Sequence, residues 1–195
     1  MIPHRNISLL SNRLVVGGVR GSAWMCSNVT IACNGAFAVG YDHRVSGKLP
    51  EAETDYSRTA AIYRAVYGDQ HQNTAIALSH LAEVYLDEGQ YARAEHVLRE
   101  VIQSLSQTVL AGHYSIGMAR VKLARALLRE KRYLEAESEG LAGYEILKKT
   151  TSPANKRLPP AREELVTIYD SLHQPEKAAR FRSLSATAEI RKCCK

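Results

Sequence analysis

At 195 residues the chain has room for one ordinary domain with a real core, and 45% hydrophobic against 24% charged residues is the balance of a soluble globular protein. No stretch approaches the roughly 20 uninterrupted apolar residues of a membrane helix. Leu9–Val19 is broken by Asn12 and Arg13, which spoils it as a signal-peptide core, so a cytoplasmic chain without a membrane partner is expected. The net charge of +6 gathers at the front, where residues 1–48 hold five Arg/Lys against Asp42; the remainder is only about +2, too weak to point to nucleic acid.

Residues 1–46 show no sustained period, and glycines at 17, 18, 21, 35 and 40 break a helix reading. They are expected to be an irregular leader, with a second reading in which Asn34–Ser46 is a decayed first helix of a repeat. From Pro50 onward the pattern is helical. Glu51–Val66 starts with Pro50 in a first-turn position, and Gly68-Asp69-Gln70-His71 makes a turn. Asn73–Glu88 carries Leu78, Leu81, Ala82 and Tyr85 at helical spacing and ends at Gly89. Tyr91–Gln107 packs through Ala94, Leu98, Val101 and Leu105. Ser115–Arg129, Tyr133–Lys148, Pro159–Ser171 and Glu176–Ala188 follow, with Pro153, Pro159 and Pro160 excluding helix from the long connection. Connectors of about three residues within each pair force antiparallel neighbours.

The order within these helices repeats every 42 residues. Leu81-Ala82-Glu83-Val84-Tyr85 lies over Leu123-Ala124-Arg125-Ala126-Leu127 and over Leu165-Val166-Thr167-Ile168-Tyr169. Gly89-Gln90-Tyr91-Ala92-Arg93-Ala94-Glu95 lies over Lys131–Glu137, and Gly47-Lys48-Leu49-Pro50-Glu51-Ala52-Glu53 stands one period earlier. A fixed period in this range marks a stack of units, none able to bury its apolar face alone. Ala82, Ala94, Ala124, Ala136, Ala161 and Ala178 are expected where backbones approach closely, and Tyr85, Tyr91, Tyr133 and Tyr169 as core filling between pairs. Three regions result: a leader over 1–46, a repeat domain over 47–188, and a basic, Cys-containing tail over 189–195.

Leu78-x-x-Leu81-Ala82-x-x-Tyr85 followed by Ala94-x-x-x-Leu98 resembles the tetratricopeptide repeat. The 42-residue spacing, the Gly-Gln-Tyr-x-x-Ala-Glu turn and Gly68-Asp69-Gln70-His71 are similar to its longer variant in kinesin light chains. The resemblance covers residues 47–185 and is most degraded in the last unit, where His173 and Pro175 replace the turn glycine and tyrosine. It implies an all-α fold of antiparallel helix pairs stacked as a right-handed solenoid of about three and a half repeats. It also implies a non-catalytic scaffold that binds a protein or peptide in a concave groove lined by the first helix of each pair. Kinesin light chains carry paired asparagines in that helix, where this chain has Ser79-His80 and Val121-Lys122.

Carried over by resemblance, the groove positions include Ser79, His80 and Glu83 in one unit, Lys122, Arg125 and Arg129 in the next, and Glu164 in the last. Lys122, Arg125 and Arg129 share one helical face, and side-by-side cations favour an acidic peptide. The same residues admit a second reading as a charged face balanced by Glu83 and Glu164. No catalytic, metal or cofactor site is expected. His71 and His113 are one period apart at equivalent helix starts, and no histidine has a cysteine partner at ligand spacing. Cys26, Cys33, Cys193 and Cys194 lie outside the repeats and form no disulfide framework for them. An alternative function is a regulatory or self-associating segment of a larger assembly, suggested by the loss of pattern before Gly47.

Overall fold

A computed structural model describes residues 37–109, 112–150 and 157–193, the last stretch with side chains to residue 184. Cys26, Cys33, the 151–156 connection and Cys194 lie outside the described residues. Among the described residues all regular structure is helical: α1 over residues 37–45, α2 Leu49–Tyr67, α3 Gln72–Asp87, α4 Tyr91–Thr108, α5 Tyr114–Arg129, α6 Tyr133–Thr150, α7 Leu158–Ser171 and α8 Pro175–Cys193. Each helix from α2 onward packs on the next, and α3 touches α5 as α5 touches α7. The odd-numbered helices thus form one layer and the even-numbered helices the other, as a stack of tetratricopeptide-type pairs.

The boundaries follow local chemistry. His71 and His113 cap α3 and α5: each Nδ1 accepts from the backbone N–H two residues on, at 3.1 and 3.3 Å. The repeat relation between these histidines is therefore a capping relation. The turns inside the four pairs also keep register. Gly47, Gly89, Lys131 and His173, spaced at 42, all have positive φ, from 57° to 76°. At Gly89 the chain closes with N–H of Gln90 on the carbonyl of Tyr85 and N–H of Gly89 on that of Leu86. Lys131–Arg132 and His173–Gln174 make the same two bonds. An L side chain costs about 1 kcal/mol in that left-handed conformation, and removing it is set against the larger unfolded-chain entropy that glycine brings. Lys131→Gly and His173→Gly are therefore each expected to leave stability unchanged or raise it by up to about 1 kcal/mol in urea unfolding, whereas glycine elsewhere in these helices costs about that much.

The core is continuous from Ala52 and Tyr56 to Ala178 and Phe181. The repeated Leu81, Ala82, Leu123, Ala124 and Leu165 are buried in it, as are Ala94, Ala136 and Ala178. Tyr85 and Tyr169 are buried as expected, while Tyr91 and Tyr133 are half-buried against the core. Glycines let α5 and α6 approach closely. A Cβ at Gly143 on α6 would lie 2.8 Å from the Gly117 carbonyl oxygen and 3.0 Å from the Val121 nitrogen on α5. Gly140 likewise leaves room for Leu165 and Ile168 of α7.

Residues 37–45, placed in the leader by composition, are helical and continue the register: Gly40 falls one period before Ala82 and two before Ala124. Gly40 is buried there, and a Cβ would come within 3.2–3.3 Å of Asp55 and Tyr56 of α2. What composition marks as a helix breaker is a close-approach residue. With α1, the described helices make four pairs. At the other end α8 runs to Cys193, so the backbone of the tail is helical to that residue.

Candidate functional site

The layer of first helices is crossed by ion pairs from helix to helix. On α1, Arg44 donates from Nη1 to Glu83 Oε2 at 2.9 Å and from Nε to Asp87 Oδ2 at 2.6 Å, both on α3. Glu83 turns its other oxygen to Lys122 Nζ on α5, at 3.1 Å. Lys122 also donates to Ser79 Oγ at 2.6 Å and to the Ser79 carbonyl at 3.3 Å. One turn further along α5, Arg125 Nε donates to Glu164 Oε2 on α7 at 3.0 Å.

Burial divides these residues by role. Lys122 is only 7% exposed. It is a tie between α3 and α5 rather than a cation open to a ligand. Burial pushes its ammonium pKa down, with Glu83 opposing that shift. Burial acts to raise Glu83, but His80, Lys122 and Arg44 together outweigh it and hold the carboxyl well below the usual carboxylate range. The His80 Nδ1 lies 3.1 Å from Glu83 Oε2, close in distance although off the line of a well-formed hydrogen bond. Its ring stacks on Tyr56 at 5.5 Å and meets the edge of Phe37 at 4.7 Å, which seats α1 on α2 and α3. Tyr56, buried beside Glu83, has its phenol pushed up to about 12, by burial first and then by that carboxylate.

Ser79, His80, Glu83 and Lys122 are thus brought together as one cluster, and Arg125 and Glu164 as a second. Arg129 is exposed and, among the described residues, has no ion pair. Of the three cations that sequence places on one face, two are matched by carboxylates of neighbouring units, and the third stands open. Arg44 belongs to the same network and was hidden by the leader assignment. A spacing of 39 residues, one period less one helical turn, links Arg44 to Glu83, Glu83 to Lys122 and Arg125 to Glu164. Opposite charges at that spacing are a signal readable in the sequence.

The second helices carry a parallel series. Glu53, Glu95 and Glu137 recur at 42 and accept from Arg93 at 2.9 Å, Arg132 at 2.6 Å and Lys177 at 3.1 Å. Arg93 and Lys177 also lie over Tyr85 and Tyr169, at 4.1 and 5.2 Å from the ring centroids. In the middle unit Glu135 and Leu127 take those places, and Arg132 supplies the cation from the turn instead. These pairs join neighbouring units; those of Arg93 and Lys177 are exposed and contribute little stability each, while Glu95–Arg132 is part-buried.

Among the described residues no group of three or more His, Cys, Asp or Glu side chains could hold a metal, and no helix is long and apolar enough to cross a membrane. Residues 33–107 match the family model described as Tetratricopeptide repeat. The fold is similar to a putative kinesin light chain with nearly identical TPR-like repeats from Podosopora anserina, with TM-score 0.71 and 20% identity over 82% of this chain and 76% of that one. A single-residue variant of that protein gives the same values. BtubC (BKLC) from P. vanneervenii is similar at TM-score 0.71 and 14% identity, over 83% of this chain and 66% of that one. No curated protein matches the sequence.

Proposed function

We propose that this chain, which has the tetratricopeptide-repeat fold and matches that family's model over residues 33–107, is a non-catalytic scaffold that holds an acidic partner segment along its layer of first helices. Proteins with this repeat generally mediate protein–protein contacts and are typically not enzymes. The observation that carries the finer reading is Arg129: an exposed cation, unmatched among the described residues, at the edge of a strip whose other charges are paired. A partner carboxylate gains most where it neutralises an unmatched charge, and Arg can hold it with two hydrogen bonds. Arg125 can add to this by exchanging Glu164 for the partner. Ser79, His80, Glu83 and Lys122 form the floor that keeps the helices in register. A cytoplasmic setting, with neither nucleic acid nor membrane as partner, is part of this reading.

Peptides selected from a random dodecamer library on the full chain are expected to be rich in Asp and Glu. Arg129→Glu should weaken them about tenfold or more in calorimetry. Recovery of no peptide, or affinities indifferent to both Arg129→Glu and Arg125→Glu, would overturn the reading.

One observation favours the alternative, a self-associating arm. Val39 is 46% exposed at the register where Leu81, Leu123 and Leu165 are buried, as though a further unit belonged in front of α1. The neighbouring Asp42 weighs against this, because it puts a charge where Val84, Ala126 and Ile168 are buried. Concentration-dependent light scattering that Val39→Asp abolishes would favour the alternative.

A further inference from the structure

We infer that the partner segment carries an apolar anchor as well as its acid, and that the anchor seats on Tyr41 and Val45 of α1. This rests on the groove reading above and adds the chemistry of its other end. The two residues occupy the register that the later units give to polar side chains: Tyr41 corresponds to Glu83, Arg125 and Thr167, and Val45 to Asp87, Arg129 and Ser171. In the first unit alone that strip is apolar. Both residues stand out from the surface, Tyr41 at 51% and Val45 at 68% exposure. Four apart on one helix, they lie on the same face. The backbone beneath them is fixed by Gly40 against Tyr56 and by Arg44 on Glu83 and Asp87, so the patch is presented on a braced helix.

Charge selects the occupant. Next to the patch, Arg44, Asp87, Glu83 and Lys122 neutralise one another, so that stretch gives a charged partner group little to gain while leaving an apolar one unopposed. Beyond it stands Arg129. The strip therefore reads apolar, neutral, cationic from α1 through α3 to α5. A segment complementary to it carries an apolar side chain, a short neutral spacer and a carboxylate. Two helix spacings of about 10 Å each separate α1 from α5. Extended chain advances about 3.3 Å per residue, which puts the anchor and the acid about six residues apart.

Alanine scanning of peptides selected on the full chain tests this, with each scan repeated on Tyr41→Ser/Val45→Ser and on Arg129→Glu. These substitutions are at exposed positions, and circular dichroism verifies that the helices persist. The expected result is one apolar peptide residue whose replacement weakens binding about tenfold on the native chain and by less than about twofold on Tyr41→Ser/Val45→Ser. An acidic residue five to seven positions away should couple to Arg129 in the same manner. Peptides that couple to Arg129 but contain no apolar residue coupled to Tyr41 or Val45 would overturn the anchor and leave the groove reading intact. Peptides that couple to neither place would overturn both.

Discussion

Glu83→Gln is expected to destabilise the fold by about 3 kcal/mol, because it leaves Lys122 buried with no carboxylate to balance it. Arg44 loses one of its two partners by the same change. The Ser79 oxygens still solvate the ammonium, which places the cost at the low end for a broken buried pair. Replacing both partners with apolar residues, as in Glu83→Leu/Lys122→Met, removes the unpaired charge together with the pair and should cost far less than the single change. The pair also sets an acid limb. Because the folded Glu83 carboxyl titrates below its ordinary value of 4.5, its contribution is complete above that value and is lost as pH falls from about 5 toward the lower folded value. Urea midpoints between pH 7 and pH 3 should fall less steeply for Glu83→Gln than for the native chain. Equal slopes would contradict the assignment.

Gly143→Ala is expected to cost about 2 kcal/mol even though alanine is the better helix former by about 1 kcal/mol. The added methyl would meet the Gly117 carbonyl oxygen at 2.8 Å and the Val121 nitrogen at 3.0 Å. Those are backbone atoms, so no rotamer change relieves the contact, and α5 and α6 must separate along a closely packed interface. Gly112→Ala, with nothing within 4 Å of its Cβ, serves as the control and should be nearly neutral. If Gly143→Ala unfolds at the same urea concentration as the native chain, the close approach of α5 and α6 is wrong.

The second through eighth helices were legible in sequence because the same positions do the same work in each unit. Leu81, Leu123 and Leu165 are buried, and so are Ala94, Ala136 and Ala178. Three kinds of feature escaped that reading. Gly40, Gly117, Gly140 and Gly143 have the composition of breakers, yet at three of them a Cβ would come within 3.0 Å of a neighbouring helix, and at Gly40 within 3.2–3.3 Å of Asp55 and Tyr56. Whether a glycine breaks or packs depends on the neighbouring helix, which local propensity does not contain. The charged face had the opposite difficulty. Its spacing along α5 placed Lys122, Arg125 and Arg129 together on one face, but their unlike burial comes from Glu83 and Glu164 on other helices. Tyr41 and Val45 were hidden for a third reason: α1 is only nine residues long, too short for its period to stand out.

The central claim is that partners lie along the layer of first helices. Calorimetry of one selected peptide against two sets of exposed substitutions tests it most directly. Val45→Ser and Arg129→Glu alter α1 and α5, while Arg58→Glu and Lys148→Glu alter the second helices α2 and α6. The account predicts about tenfold losses or more in the first set and changes below about twofold in the second. Losses confined to Arg58→Glu and Lys148→Glu would place the partner on the opposite layer and contradict it.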